Sequence, residues 1–288
     1  MTKTIITGAL LAVSLFVTGC GTPKQTEWSQ AAPAETPPTG ISSTKAQGKT
    51  EKLEKFISIE VDVLAADIQI VPGEDWSVSY NLSEKEPLKR FGVEGDTLYV
   101  ETAFDAEKYF DRTGDWFVTV TVPEDSTLSE VELNTISGNV ELRGISCESG
   151  ELHSTSGTVD AEESTVNELE LDSASGEISA VKLTADTLEA KTVSSDICIE
   201  GDFGELETTT VSGDTEVSGT ISDSGSLKST SGEIGLRVSH DIAVQADRIG
   251  TITVNGEQKS CPAQCGSGVP VEVKTVSGEV TIETKASR

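Results

Sequence analysis

Residues 131–142, Val-Glu-Leu-Asn-Thr-Ile-Ser-Gly-Asn-Val-Glu-Leu, decide the fold, because their frame returns six more times along the chain. The copies centre on Thr155-Ser156-Gly157, Ala174-Ser175-Gly176, Val193-Ser194-Ser195, Val211-Ser212-Gly213, Thr230-Ser231-Gly232 and Val276-Ser277-Gly278. The intervals are 19, 19, 19, 18, 19 and 46 residues. Two residues after the Gly position stand Val140, Val159, Ile178, Ile197, Thr215, Ile234 and Val280; five before it stand Leu133, Leu152, Leu171, Ala190, Thr208, Leu227 and Val273. Apolar residues at a period of two on both sides of Ser-Gly describe two short strands joined by a bend. One such unit cannot bury its apolar positions alone, whereas stacked units set like on like and make a narrow continuous core. The expected fold is therefore all-β, a single-chain parallel β-solenoid with rungs of about 19 residues, stacked ~4.8 Å apart. Helical solenoids repeat over ~33 residues or more and propeller blades over ~40–50, which excludes both.

The 46-residue interval is two rungs plus 8 (46 − 38), and the surplus predicts a projecting loop at residues 257–268, around Cys261-Pro-Ala-Gln-Cys265. Upstream, residues 51–130 also alternate, as in Ile59, Val61, Val63 and in Trp76, Val78, Tyr80, and predict an N-terminal β region that caps the solenoid. Twelve of the 13 aromatics lie at or before Phe117, so the repeat region, residues 131–284, relies on small β-branched side chains. Tyr109-Phe110 and Trp116-Phe117 around Asp111-Arg112 suit the closed end of such a cap. Residues 20–50 are rich in Pro, Thr, Ser and Gln and read as a disordered tether; residues 285–288 are a tail.

Residues 1–19 have the form of an export signal, with Lys3 ahead of an apolar run from Ile5 to Val17 that is too short to span a bilayer. Val17-Thr18-Gly19-Cys20 resembles the bacterial lipobox. That resemblance implies cleavage before Cys20 and a thioether-linked diacylglycerol on it, which places the protein on the cell membrane facing away from the cytoplasm. Two acyl chains suffice for stable anchoring.

The 288 residues hold 21 Lys plus Arg against 49 Asp plus Glu, a formal charge of −28, which argues against a nucleic-acid partner. The position after Gly is acidic in four successive rungs, Glu177, Asp196, Asp214 and Glu233. Stacked carboxylates of this kind are a candidate weak Ca²⁺ or cationic-ligand site, or else a solvated corner that keeps the protein soluble. Ser before Gly, with Ser or Thr three before it, suits hydroxyls bonded to the bend rather than nucleophiles, and the Gly suits a corner with positive φ, with Ser195 the exception expected to show strain or a different bend. Cys261 and Cys265 are spaced for a small disulfide loop, while Cys147 and Cys198 fall on different faces of the coil and are not expected to pair with each other. His153 and His240 belong to no metal-spaced cluster and are expected at exposed positions. No other cofactor is indicated.

The segment Ile57-Ser-Ile-Glu-Val-Asp-Val-Leu-Ala-Ala-Asp-Ile-Gln-Ile70 with Pro72-Gly73, the Ser-Gly units, and Val-Lys-Thr-Val-Ser-Gly-Glu-Val-Thr-Ile282 together resemble the bacterial putative-adhesin family of extracytoplasmic β-strand-repeat lipoproteins. The resemblance implies a right-handed β-helix-like fold at the cell surface. The function expected is a non-enzymatic, membrane-tethered adhesion or scaffold module with a surface glycan or protein as ligand. The alternatives are a regulatory envelope component that senses stress or a ligand and acts on a membrane protein and, more remotely, a polysaccharide-active β-helix enzyme.

Overall fold

The computed structural model describes residues 48–84, 86–103, 114–247, 251–260 and 263–284. The export signal, Cys20, the tether up to residue 47, Tyr109 to Arg112, Cys261 and the 285–288 tail lie outside the described residues. The described residues form 22 strands and no helix. In chain order the first seven are β1 (Lys49–Lys52), β2 (Ser58–Asp62), β3 (Asp67–Gly73), β4 (Ser77–Asn81), β5 (Leu88–Glu94), β6 (Thr97–Thr102) and β7 (Phe117–Pro123). The repeats follow as β8 (Thr127–Thr135), β9 (Val140–Arg143), β10 (Ser146–Ser154), β11 (Val159–Glu162), β12 (Thr165–Ser173), β13 (Ile178–Thr192), β14 (Ile197–Ser212), β15 (Thr215–Ser231) and β16 (Ile234–Val238). The C-terminal group is β17 (Ile242–Asp247), β18 (Thr251–Val254), β19 (Glu257–Ser260), β20 (Ala263–Cys265), β21 (Val269–Ser277) and β22 (Val280–Thr284).

Each Ser-Gly bend separates two stacks of parallel strands. Before the bends, Leu133, Leu152, Leu171, Ala190, Thr208, Leu227 and Val273 pair in one column, each opposite the next. After the bends, Val140, Val159, Ile178, Ile197, Thr215, Ile234 and Val280 do the same. All of these side chains are buried, and the apolar ones form one continuous core with the N-terminal strands. Burial of a Val, Leu or Ile is worth roughly 1.5–3 kcal/mol, so repeated small side chains replace the large ones the composition lacks. The fold is mostly parallel, open and solenoid-like.

The stacking order departs from chain order at both ends. Strands β2 and β3, the first rung of the chain, lie between β6/β7 and β8/β9. At the other end β21 and β22, the last rung, lie between β15/β16 and β17/β18. The region 51–130 is thus more than a cap, because β2, β3, β6 and β7 are rungs of the same parallel stack. Its bend, Leu64-Ala65-Ala66, lacks Ser-Gly and so gave no repeat signal.

Antiparallel strands close both ends. β5 pairs with β6, β4 with β7 and β1 with β4 at one end; β20 pairs with β17 and β19 with β18 at the other. Residues 257–268, read as a loop, therefore carry two short edge strands, and the end of the tether reading, from Lys49, is already strand. Short, charged strands at the rims oppose edge-to-edge association. At the first end Phe56 meets Trp76 edge to face with centroids 4.5 Å apart, and the Arg90 guanidinium sits over the Tyr99 ring.

Candidate functional site

The bends are the most regular chemical feature, and their glycines answer to contact rather than to φ. A Cβ on Gly138, Gly157, Gly176, Gly213 or Gly232 would lie within 2.0 Å of the carbonyl oxygen of the bend below. Only Gly278 among the bend glycines has positive φ, so the expected left-handed corner is corrected at the other five. Ser195 is not a positive-φ residue either, and its hydroxyl donates to the Ser175 carbonyl at 2.7 Å.

Three residues before Gly, the hydroxyls stitch neighbouring bends together. Ser154 Oγ donates to the Gly138 carbonyl at 2.8 Å and accepts the Gly157 N–H at 2.9 Å; Ser173 repeats this with the Gly157 carbonyl and the Gly176 N–H, at 3.2 and 2.8 Å. These side chains are wholly buried and have no base beside them among their bonds, which suits a structural role.

The stack brings Glu177, Asp196, Asp214 and Glu233 into one column, as the spacing predicts: each residue that follows them is paired with its counterpart one rung on. Two of the four carboxylates act within the bend. Asp214 N–H donates to Asp196 Oδ1, and Glu233 N–H donates to Asp214 Oδ1, both at 2.7 Å. Asn139 Oδ1 takes the Thr158 N–H at 3.1 Å in the same manner. A short side chain at this position therefore ties a bend to its neighbour. Among the described residues no three His, Cys, Asp or Glu side chains are grouped to hold a metal ion.

A second acidic row was missed. Glu60, Glu132, Glu151, Glu170, Glu189 and Glu207 pair consecutively across β2, β8, β10, β12, β13 and β14. The signal was available, since five of the six stand six residues before the Gly position. Burial first, then Glu132 and Glu101, pushes the Glu60 carboxyl above the ordinary carboxylate range. Further along, Lys191 bridges Glu170 and Glu189 at 2.9 and 2.7 Å, and Lys228 reaches Glu207 at 2.6 Å. Among the described residues, the ion pairs of this row thus fall at Glu170, Glu189 and Glu207.

Cys147 is a buried free thiol, and burial pushes its pKa up to about 12. It lies in the stack before the bends, beside Leu128 and Val166, whereas Cys198 lies in the other, beside Ser179 and Glu216. Cys265 stands on β20 opposite Val244; its suggested partner Cys261 is outside the described residues. His153 is half-exposed with Nδ1 4.0 Å from Asp172, but both ring nitrogens of His240 are buried without a hydrogen-bond partner, contrary to the exposed position expected. A trough of about 550 Å³ crosses β15, β21, β17 and β20, with Ser224, Gln245, Gln264 and Glu272 on its walls. Glu272, its one carboxylate, is engaged by Lys274 at 2.6 Å.

Solved structures similar to this one are of low identity. An adhesin-like protein from Bacteroides fragilis, described as a putative adhesin, is 17% identical with a TM-score of 0.42 over 84% of this chain and 98% of its own. A putative adhesin from Parabacteroides merdae is 13% identical, TM-score 0.40, over 82% and 95%. A putative lipid binding protein from Parabacteroides distasonis is 16% identical, TM-score 0.39, over 83% and 96%. No curated protein matches the chain. Residues 56–285 match the Toastrack DUF4097 family, a span that runs from the Phe56 of the aromatic end to the last rung, and the chain belongs to that family.

Proposed function

We propose that the protein is a non-enzymatic extracytoplasmic module, anchored through acylated Cys20 and held off the membrane by the segment up to residue 47, that binds a surface ligand by the outer rows of its stack. The observation that carries this reading is the row from Glu60 to Glu207: side chains in register across successive rungs form a long surface, suited to an extended partner. The one carboxylate on the trough walls, Glu272, is held by Lys274, whereas sugar cleavage uses paired acids, which supports the non-enzymatic part. A right-handed coil of rungs of about 19 residues fits the usual hand of parallel crossovers.

Two measurements test it. Metabolic palmitate labelling with wild type and Cys20→Ser checks the anchor: label on the wild type alone is expected, and an unlabelled, released wild type overturns it. Binding of the fluorescent full chain to intact cells, against a variant with Glu132, Glu151 and Glu170 changed to Gln, checks the surface. Undiminished binding by that variant removes the glutamate row from the mechanism.

A further inference from the structure

The residue two before the Gly position is exposed at six of the seven bends and half-buried at the seventh, as Ala174. In the repeats it is Ile136, Val193, Val211 and Val276 in four turns, and these are 46%, 51%, 47% and 67% exposed. The fold does not require an apolar residue there, because Thr155 and Thr230 occupy the same place and are also exposed. The backbone bonds align the ridge from turn to turn: Ile136 N–H donates to the Leu64 carbonyl at 3.1 Å, and Ser212 N–H to the Val193 carbonyl at 2.9 Å. On the far side of the Gly runs the column of Glu177, Asp196, Asp214 and Glu233. A ridge of apolar residues interspersed with Thr155, Ala174 and Thr230 thus follows the bends, and from Glu177 onward it has an acidic margin.

At one end the chain covers this track itself. Leu64 is the ridge residue of the β2/β3 rung, yet it and Ala65 are only 8% and 7% exposed. The connection between β4 and β5 supplies Glu86, itself 1% exposed, whose Oε1 accepts the Leu64 N–H at 2.5 Å and the Thr102 hydroxyl at 2.8 Å. The covered end is continuous with the exposed length, and there the Glu86 carboxylate bonds the backbone of the ridge.

We propose that the ridge from Ile136 to Val276 is a docking track for an extended segment of a protein partner, with apolar side chains against the ridge and Lys or Arg against the acidic column. Charge selects this occupant. A second copy would bring the same acids and a net charge of −28 against its own, and like charges in apposition oppose association. Val193 and Val211 stand on adjacent turns, with Val276 two turns on and Ile136 three turns back, so the exposed apolar residues share one line along the bends. The inference goes beyond the adhesion reading and stands whether or not Cys20 is acylated.

The probe is a peptide of alternating Lys and Val, titrated calorimetrically into the full chain carrying Cys20→Ser at physiological salt. Peptides of alternating Lys and Ser and of alternating Glu and Val are the controls. The Lys-Val peptide is expected to bind about tenfold more tightly than the Lys-Ser peptide, a difference of about 1.4 kcal/mol, and the Glu-Val peptide more weakly than either. Changing Ile136, Val193, Val211 and Val276 together to Thr, a residue the column already holds, is expected to leave thermal stability unchanged and to remove the tenfold advantage. Equal binding of the Lys-Val and Lys-Ser peptides, or undiminished binding by the fourfold variant, overturns the proposal. A dimer in light scattering that dissolves in the fourfold variant assigns the ridge to self-association and overturns the chosen occupant.

Discussion

A side chain on Gly157 would place its Cβ 1.8 Å from the carbonyl oxygen of Gly138, one bend below. The obstacle is backbone on both sides, so no rotamer change relieves it. Gly157→Ala is expected to lower stability by about 3 kcal/mol, at the upper end of overpacking costs. Chemical denaturation checks the magnitude, and a loss of only a few tenths would mean that the bends are free to spread.

Thr215 sits in the buried column between Ile197 and Ile234, and its hydroxyl has no hydrogen-bond partner. Val has nearly the same shape without the polar atom. Thr215→Val is expected to stabilise by about 1 kcal/mol, or roughly 2–4 °C in melting temperature for a domain of this size. A lower melting temperature would show that the hydroxyl is satisfied in solution.

The last rung holds the one before it. Among the described residues, strand β17 pairs with the stack through β21 alone, and β18 through β22 alone. Removing residues 267–288 is expected to abolish amide protection in β17 to β20 while β8 to β14 keep theirs. Retained protection in β17 would mean that it re-docks directly on β15.

Cys147 is buried and its thiol raised to about 12, so almost none is thiolate at neutral pH. Iodoacetamide at pH 8 followed by peptide mass mapping is expected to leave Cys147 unmodified in the native chain and to label it in denaturant. Native labelling at a rate like that of an exposed thiol contradicts the packing of β10.

Stability should pass through a maximum in mild acid. Burial chiefly, aided by neighbouring carboxylates, raises Glu60, Asp62 and Asp160. The folded state therefore binds their protons at higher pH than the unfolded state does, and stability rises as pH falls through that interval. Glu94, Glu101 and Glu163 are lowered by hydrogen bonds from Arg90, from Lys89 with Arg90, and from Lys182. Their contribution is present above the ordinary carboxylate value and is lost as pH falls through the lowered one. A melting temperature highest at about pH 5 is expected from these opposed signs. A monotonic fall from pH 8 to pH 3 would count against the raised group.

The apolar columns were legible because Leu133, Leu152 and Leu171 recur at a fixed interval, and an in-register parallel stack is the arrangement that buries them all. The row from Glu132 to Glu207 recurs at the same spacing from the bend and was equally legible. The rung β2/β3 was hidden because Leu64-Ala65-Ala66 stands where Ser-Gly would announce a bend. The reason assigned to the bend glycines was also wrong, since a sequence reports a missing side chain without reporting whether φ or a neighbour demands it.

Periodicity alone settled that this chain folds as stacked parallel strands, because two-residue alternation around a recurring bend has no other way to bury its apolar side. It could not order the rungs. The faces of Ile242, Val244 and Ala246 and of Val271 and Val273 are chemically equivalent, so either could follow β15; only closure of the tertiary structure, with an antiparallel strand at each rim, places the last rung inside and the penultimate one at the edge.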